Sequence, residues 1–214
     1  MASLIFSLGN SADHVMRLMT RRGAEGVERV YLVTMSTSDE TARKMRENAV
    51  RVAASYLNAV GVNDVRVISV DLDRGFDAAL LQVSAALGKL GRTEIYLADT
   101  TPMLITVLYF IAQILSTLTD VAVTVYDDLS DQLYAVPLRP PRVPRTQVLV
   151  ELLRALTVKQ SVGELAERLG KSQSTVLKQL ESLGELAECK KVGRERVCEA
   201  STIGRVVLNL MGVV

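Results

Sequence analysis

The sequence contains no tryptophan and few other aromatic residues, so aliphatic side chains must build its core. Aromatic residues make up 4% of the 214 residues, whereas 49% of the chain is hydrophobic. Cysteine is also scarce: Cys189 and Cys198 are too few for a disulfide framework and do not make a zinc site by themselves. The composition indicates a globular protein, long enough for one large domain or two smaller ones.

Long hydrophobic segments are missing as well. The longest apolar run, residues 103–118, is shorter than a membrane span and contains Gln113, Ser116 and Thr117. It favours a buried helix and predicts no membrane partner. The N-terminus lacks the basic, apolar and small-residue segments of a secretory signal, so we expect a cytoplasmic protein.

Charge is distributed unevenly, although the net charge is only +1. Residues 1–137 carry a net charge of −4, and residues 138–214 carry a net charge of +5. A mildly acidic front and a basic tail are compatible with a nucleic-acid contact confined to the tail. A difference of this size is also ordinary scatter, so the charges alone decide little.

Proline is rare except in one short segment. Four of the five prolines lie in PLRPPRVP, residues 137–144. Proline fixes φ and donates no backbone hydrogen bond, so neither a helix nor a central strand is expected here. The sequence predicts a front domain over residues 1–137, a proline-rich linker over residues 138–146 and a second domain over residues 147–214.

In the front domain, short runs of β-branched residues alternate with segments of helical periodicity. The predicted strands are LIFSL, RVYLVT, VRVISV, EIYLAD and VAVTVY, at residues 4–8, 29–34, 65–70, 94–99 and 121–126. This α/β alternation predicts a Rossmann-like, mostly parallel sheet with helices on both faces. The loop DDLSDQ (127–132) is too short for a crossover, so LYAVP (133–137) should form an antiparallel hairpin at one edge.

Ligands of open parallel sheets bind beyond the carboxyl ends of the strands, where the strand order reverses. With the order 3-2-1-4-5, that point lies between strands 1 and 4. The loops after these strands are GNSAD (9–13) and DTTPM (99–103), and each loop leads into a helix. We expect Asn10 or Ser11 to cap the first helix and Thr101 to cap the second. Both helix N-termini would then direct backbone amides at an anion such as phosphate.

The same loops lack the motifs of common nucleotide-binding enzymes. Gly9 stands alone instead of in G-x-G-x-x-G, and no acidic residue ends strand 2 to hold a ribose, so a nicotinamide or flavin site is not expected. The P-loop motif is absent, and no Ser-His-Asp or paired-carboxylate constellation stands out. His14, the only histidine, is expected to face solvent or to pack against its neighbours. The front domain is therefore predicted to bind a ligand without a cofactor, a metal or catalysis.

The second domain begins with three segments of helical periodicity, at residues 146–158, 161–170 and 172–185. Ser161 and Ser172 are suitable N-caps, and Gly170 with Lys171 forms a short turn between the last two helices. The residues of the third helix expected to face the core are Val176, Leu177, Leu180 and Leu183. The opposite face would contact bases and phosphates through short polar and basic side chains. The DNA-binding residues predicted from this turn and helix are Lys171, Gln173, Ser174, Thr175, Lys178 and Gln179.

A β-hairpin is predicted next, because LAECKKVGRERVCEA (186–200) alternates around Gly193. A basic hairpin after such a helix is typical of the wing of a winged helix-turn-helix domain, and a wing typically tracks phosphates. The predicted wing contacts are Lys190, Lys191, Arg194 and Arg196. The alternatives are a helical module with a solvated charged face and a winged helix that binds a protein.

The two cysteines are equidistant from the centre of this hairpin and should lie opposite each other. They would be either two small buried hydrophobic residues or a cross-strand disulfide. Further on, an apolar stripe at helical spacing is formed by Ile203, Val206, Val207, Leu210 and Met211. A helix with this stripe packs on its own domain or pairs with a second copy. Two-fold dimers are the commonest assembly and suit DNA half-sites, so we expect a homodimer.

An acidic Rossmann-like domain, a short linker and a winged helix together resemble the archaeal CRISPR-associated regulators that combine a CARF domain (CRISPR-associated Rossmann fold) with a winged helix. The resemblance covers essentially the whole chain. LADTTPM (97–103) is similar to the ligand-loop motif of this family, in which Asn or Asp is followed two residues later by Ser or Thr. Asp99 and Thr101 match this motif. Pro102 and residues 103–105 replace the glycines and the basic residue that often follow.

The resemblance implies a transcriptional regulator of CRISPR-associated antiviral defence genes, which binds double-stranded promoter DNA. It also implies a homodimer whose paired crevices bind one cyclic oligoadenylate, usually cyclic tetra-adenylate, as a regulatory ligand. The residues expected at this ligand are Gly9, Asn10, Ser11, Asp99, Thr100, Thr101 and Pro102. Because the loop lacks the basic residue, we expect a lower affinity and little or no cleavage of the ring.

Two other functions remain compatible with the sequence. The first is a ring nuclease whose winged helix only dimerises, with Ser11 orienting a ribose. The second is a constitutive DNA-binding protein whose front domain only dimerises, because Met103 and Leu104 crowd a position where glycine is expected. Linear products from cyclic tetra-adenylate would indicate the first function. Calorimetry without binding heat for any cyclic oligoadenylate would indicate the second.

Overall fold

The computed structural model describes residues 1–98, 100–139, 146–193 and 195–213. The chain divides into two compact units, one with a six-stranded sheet and one with a three-stranded sheet. Of the predicted linker 138–146, residues 140–145 lie outside the described residues, so the linker and its boundaries remain a prediction.

The first unit is built on a sheet with a reversal of strand order near its centre. The strands are β1 Ala2–Ser7, β2 Val27–Met35, β3 Val65–Val70, β4 Thr93–Leu97, β5 Val121–Asp127 and β6 Gln132–Ala135. Their order is β3-β2-β1-β4-β5-β6, and all neighbours pair in parallel except β5 and β6. The predicted strand order and the antiparallel edge hairpin are therefore confirmed.

Helices cover both faces of this sheet. The α-helices of the described part of the unit are α1 Asp13–Arg22, α2 Glu40–Ala59, α3 Phe76–Leu87 and α4 Pro102–Leu115, and a short 3-10 helix spans Leu72–Arg74. On one face, Leu4 and Phe6 of β1 join a buried cluster with Leu18 of α1 and Ala53 of α2. Ile5 points to the opposite face by strand alternation and is fully buried as well. Burial on both faces is typical of parallel sheets.

The longest apolar run of the sequence forms most of α4, whose buried side includes Leu104 and Val107. As predicted, Thr101 caps this helix by accepting a hydrogen bond from the amide of Leu104, and Pro102 occupies the first turn. Over the described ranges, no helix combines the length and the hydrophobicity needed to cross a bilayer.

The start of α1 differs from the prediction, because neither Asn10 nor Ser11 is its N-cap. The N-cap is Ala12, and the hydroxyl of Ser11 instead accepts the amide of Asp13 at 3.1 Å. Ser11 thereby closes a local turn onto the amide two residues further on, and the helix begins only at Asp13.

The second unit contains a helical part followed by a hairpin and a last helix. Its α-helices in the described residues are α5 Gln147–Ala155, α6 Val162–Leu169, α7 Gln173–Leu183 and α8 Thr202–Met211, and a 3-10 turn, Gly184–Leu186, follows α7. Its strands are β7 Gln160–Ser161, β8 Ala187–Val192 and β9 Glu195–Ala200, in the antiparallel order β7-β9-β8. The sequence did not predict β7, because two residues are too few to show an alternating pattern.

Serine caps fix the starts of α6 and α7, as predicted. Ser161 and Glu164 form a reciprocal capping box, in which the bonds to Ser161 hold the pKa of the Glu164 carboxyl below its usual range. Ser172 accepts the amide of Thr175 at the start of α7. Between the two helices, Gly170 has a φ of 62°, the left-handed conformation that favours glycine at a helix end.

The last helix packs on its own unit, which is one of its two predicted arrangements. Val206, Val207 and Leu210 are buried there. Gly204 allows the close approach, because an added Cβ would overlap the carbonyl oxygen of Leu186 and lie 3.0 Å from Leu153 Cδ1. Glycine is therefore needed where α8 meets the turn after α7.

Candidate functional site

The strand order of the first sheet reverses between β1 and β4, and one side chain joins the two strand ends. The hydroxyl of Ser7 donates to the carbonyl oxygen of Ala98 at 2.7 Å and accepts from the amide of Ala98 at 2.8 Å. Ser7 is fully buried. The loops that follow β1 and β4 therefore start from linked points on either side of a crevice.

A cavity of about 200 Å³ lies in this crevice. It is lined by both predicted ligand loops and by one residue each of β2 and α2, namely Gly9, Asn10, Met35, Arg46, Thr100 and Thr101. The structure thus places four of the predicted ligand residues around one cavity. Thr101 caps α4 at the edge of this cavity, so the positive end of the helix dipole lies beside it.

Two other predicted ligand residues, Ser11 and Pro102, do not line this cavity. Ser11 lines a separate cavity of about 210 Å³, together with Asp13, His14, Arg17 and Asp128. Pro102 is exposed in the first turn of α4. Asp99 lies outside the described residues.

His14 is packed against the end of β1 and does not face solvent. His14 is 1% exposed, and its Nε2 lies 2.8 Å from the carbonyl oxygen of Ser7. Because a carbonyl oxygen only accepts hydrogen bonds, Nε2 carries the proton in this contact. The only histidine of the chain therefore supports the strand end that Ser7 links to Ala98.

The cation of the Ser11 cavity is held in a polar network. Arg17 donates to the hydroxyl of Tyr126 at 3.4 Å, and this hydroxyl donates to the carboxylate of Asp131 at 2.7 Å. The bond from Tyr126 holds the pKa of Asp131 below its usual range, and the same bond raises the pKa of Tyr126. Arg21 donates to the same carboxylate. Arg17 is thus engaged within its own cavity.

Arg46 places a basic group at the crevice, whereas the two predicted ligand loops, residues 9–13 and 99–103, contain none. It is half-buried on the second turn of α2, and its Nη1 donates to the carbonyl oxygen of Met35 at 3.3 Å. Among the described residues it forms no ion pair with a carboxylate. The sequence prediction missed Arg46 because it considered only the loops after β1 and β4. The sequence feature that could have identified Arg46 is its position in the second turn of α2, the helix that follows β2, because β2 is the strand next to β1.

A larger cavity of about 340 Å³ adjoins the crevice, because Met35 and Arg46 line both. It lies between the first half of α2 and the ends of β2 and β3. Its other lining residues are Thr34, Ser36, Thr37, Arg43, Glu47, Val50, Val67 and Ser69.

In the second unit, α7 presents the polar face that its sequence predicts. The exposed side chains on this face include Gln173, Ser174, Thr175 and Lys178. Gln179 is half-buried and accepts a hydrogen bond from Lys171 Nζ at 3.2 Å. Two of the residues predicted to bind DNA are therefore hydrogen-bonded to each other. Val176, Leu180 and Leu183 are buried as predicted, whereas Leu177 is only half-buried.

The hairpin carries exposed cations beside a disulfide. Lys190, Lys191 and Arg196 are exposed, and Arg194 lies outside the described residues. Lys191 lies directly opposite Arg196 across the two strands. Cys189 lies directly opposite Cys198 with their Cα atoms 4.1 Å apart, and the two are bonded. The predicted cross-strand register is confirmed, and of the two predicted states of the pair the structure has the disulfide.

Comparison with known proteins identifies the first unit. No curated protein sequence matches the chain. The family described as the Csa3 CRISPR-associated Rossmann-like domain matches residues 2–136. The matched residues include every strand of the six-stranded sheet and all residues of the crevice. The chain therefore belongs to the Csa3 CRISPR-associated Rossmann-like (CARF) domain family.

Proposed function

We propose that this protein is a ligand-responsive transcriptional regulator of CRISPR-associated genes. It acts as a homodimer, senses a cyclic oligoadenylate such as cyclic tetra-adenylate at the crevices of its first unit, and binds promoter DNA through a winged helix-turn-helix in its second unit. The observation that carries the proposal is the presence, in one chain, of a CARF-family domain and of a helix with an exposed polar face that is followed in sequence by a cationic hairpin. The proposal needs no cofactor, metal or membrane.

The crevice supports the sensing part of the proposal. A helix N-terminus, two threonines and one arginine surround it, and this combination suits an anionic phosphodiester. Two crevices related by a two-fold axis would match a ring of identical nucleotides, because an isologous dimer presents the same groups twice.

The outer face of α7 supports the DNA-binding part. Gln173 and Ser174 lie in the first turn of the helix and Lys178 lies one turn later, so all three could reach into one major groove. The buried leucines of α7 hold this face outward. In this proposal α7 is the recognition helix.

The hairpin favours nucleic acid over a merely solvated charged surface. Lys191 and Arg196 are directly opposite each other, and like charges in this position destabilise an antiparallel pair. A phosphate between them would relieve the repulsion. The hairpin is therefore proposed to follow the DNA backbone as a wing.

A gel-shift titration tests both halves of the proposal. The duplex is the region upstream of the protein's own coding sequence, titrated with and without cyclic tetra-adenylate. We expect a specific complex whose midpoint changes at least about fivefold with ligand, since allosteric coupling is typically about 1–3 kcal/mol. A complex whose midpoint is the same with and without the ligand would indicate constitutive DNA binding. The absence of a complex on any duplex would reject the DNA-binding part of the proposal.

The proposal assigns binding, and not cleavage, to the crevice. Ser11, which the ring-nuclease alternative requires, lines a different cavity from Thr100 and Thr101. Incubation with cyclic tetra-adenylate, followed by chromatography, should return the intact ring. Linear products that disappear in Ser11→Ala would establish the nuclease instead.

A further inference from the structure

The larger cavity next to the crevice has two kinds of wall. Met35, Val50 and Val67 are apolar residues of its lining, and the hydroxyl-bearing residues Ser36, Thr37 and Ser69 also line it. Its volume of about 340 Å³ is at the lower end of the roughly 300–1,000 Å³ found for small-molecule sites. Apolar sides with a few hydroxyls suit a flat heterocycle that has hydrogen-bonding groups on its edge.

Thr34 provides a second, independent observation at this cavity. The residue is 5% exposed, and its hydroxyl oxygen has no hydrogen-bond partner in the part of the chain that the structure describes. A buried hydroxyl without a partner is unfavourable and needs an explanation. Thr34 lines the cavity and pairs with Ser69 in the parallel register of β2 and β3, so its side chain lies on the same face of the sheet as Ser69, which also lines the cavity.

Arg46 marks the junction between the two cavities. Its guanidinium has only the 3.3 Å bond to the carbonyl oxygen of Met35 among the described residues, and most of its donors are available to a ligand. The other charged residues of the larger cavity, Arg43 and Glu47, are exposed and form an ion pair at 3.9 Å. They therefore offset each other, and Arg46 is the cation left for an anion.

We propose that the larger cavity is a base subsite, in which a purine of the ligand enters between α2 and β3. Arg46 binds the phosphate attached to that nucleoside at the junction with the crevice. The inference rests on the proposed function, since it assigns one nucleotide of the cyclic ligand to this cavity. It also makes Arg46 the functional replacement for the basic residue that the ligand loop lacks.

Two substitutions with matched controls test the subsite in the full-length protein. Arg46→Met removes the guanidinium and keeps the apolar stem, and Arg51→Met is its control on the same helix. Val67→Phe fills the cavity, and Val52→Phe is its control at an exposed position of α2 outside both cavities. Thermal unfolding establishes that each variant is folded. If Val67→Phe does not fold, the affinity of Arg46→Met alone tests the subsite.

The probes are cyclic tetra-adenylate by calorimetry and adenosine 5′-monophosphate by methyl NMR, with Val50 as the reporter. We expect Arg46→Met to weaken binding of the cyclic ligand by about tenfold or more, as the loss of a charge-assisted contact does. Val67→Phe should weaken it by a similar factor of about tenfold, because the added ring occupies the space proposed for the base. The two controls should stay within about twofold of the wild-type affinity. The monophosphate should shift the Val50 methyl resonances in the wild type and not in Val67→Phe.

Two outcomes distinguish a failure of the subsite from a failure of the proposed sensing function, and a third rejects both. If the cyclic ligand binds the wild type, Arg46→Met and Val67→Phe equally, the subsite is wrong and the sensing function stands. If only the monophosphate binds and shifts Val50, the subsite stands and the cyclic ligand is wrong. If neither probe binds the wild type, both are wrong.

Discussion

Arg22 and Glu94 form a two-point salt bridge between α1 and β4. Nε of Arg22 lies 2.8 Å from Oε2 of Glu94, and Nη2 lies 3.0 Å from Oε1. Both side chains are mostly buried, at 20% and 16% exposure. The hydroxyl of Tyr96 donates to the same carboxylate at 3.0 Å, so Glu94 receives three hydrogen bonds within the first unit.

This network predicts acid-sensitive stability. The hydrogen bonds from Arg22 hold the pKa of Glu94 below its ordinary value of 4.5. The contribution of ionised Glu94 to the free energy of unfolding is therefore fully present above pH 4.5. It is lost as the pH falls through the lower pKa that Glu94 has in the folded state. Glu94→Gln should lower the free energy of unfolding at neutral pH by about 1.5–3 kcal/mol.

Urea denaturation of the wild type and Glu94→Gln, near pH 7 and near pH 3, checks this expectation. The difference between the two proteins should shrink at the acid end, because unfolded wild-type protein takes up a proton at Glu94 as the pH falls below 4.5 and the folded state then loses the advantage of its lowered pKa. Burial raises the pKa of Tyr96 to about 12, so its hydroxyl stays protonated over this whole range. A difference that is the same at both pH values would contradict the assignment.

The bond between Ser7 and Ala98 predicts a second stability effect. Ser7→Ala leaves the amide and the carbonyl of Ala98 without their side-chain partner in a buried position. We expect a loss of about 1–3 kcal/mol in the free energy of unfolding. Ser3→Ala, at the other end of the same strand, is the comparison and should lose less. If Ser7→Ala and Ser3→Ala lower the free energy of unfolding equally, the hydrogen bonds between Ser7 and Ala98 make no special contribution to the stability of the first unit.

The fold of the first unit was predictable because apolar residues recur along its sequence with the periods of strands and helices. Alternation of β-branched strands and amphipathic helices defines a parallel sheet, and the short loop at residues 127–132 defines the edge hairpin. The same reasoning placed Cys189 opposite Cys198, because a hairpin turn fixes the register of its strands. These are local or repeating signals, which a sequence records directly.

The site was less predictable because it joins elements distant in sequence. Arg46 reaches the crevice from α2, and no pattern in the loops after β1 and β4 points to it. Ser11 lies next to Asn10 in sequence and yet lines another cavity, because it forms its own turn with Asp13. Leu104 was expected to crowd the ligand loop, but the helix directs it into the core. Side-chain direction, not residue type, decides each case.

Two glycines of the second unit predict opposite effects of the same substitution. Gly204→Ala places a Cβ against the carbonyl oxygen of Leu186 and should lower stability by about 1–3 kcal/mol through overpacking. Gly163→Ala in α6 meets nothing closer than 3.6 Å and should raise stability by up to about 1 kcal/mol, since alanine favours helix. Thermal unfolding of the two variants should therefore give melting temperatures on opposite sides of the wild type. A destabilised Gly163→Ala would contradict the open space around this residue.

The disulfide predicts a redox-dependent hairpin. Reduction frees two strands that carry Lys191 opposite Arg196, a pair that repels itself. We expect dithiothreitol to lower the stability of the second unit by about 2–3 kcal/mol, the size expected for a short closed loop. The double variant Cys189→Ala with Cys198→Ala should be less stable than the oxidised wild type and insensitive to the reductant. A wild-type protein that unfolds identically with and without dithiothreitol would show that the bond adds no stability.

The two proposed DNA-contacting elements predict different responses to salt and sequence. Arg196→Ala on the hairpin should weaken specific and unrelated duplexes alike and lower the slope of log K against log salt by about 0.9, as the loss of one phosphate contact does. Lys178→Ala on α7 should weaken the upstream duplex more than an unrelated one, because a base contact carries the sequence preference. Arg154→Ala, an exposed cation of α5, is the matched control and should change neither quantity. Gel shifts at several salt concentrations measure all three variants. Since all three remove one positive charge, equal losses for all of them on both duplexes would mean that net charge alone, and not the helix and hairpin surface, determines binding.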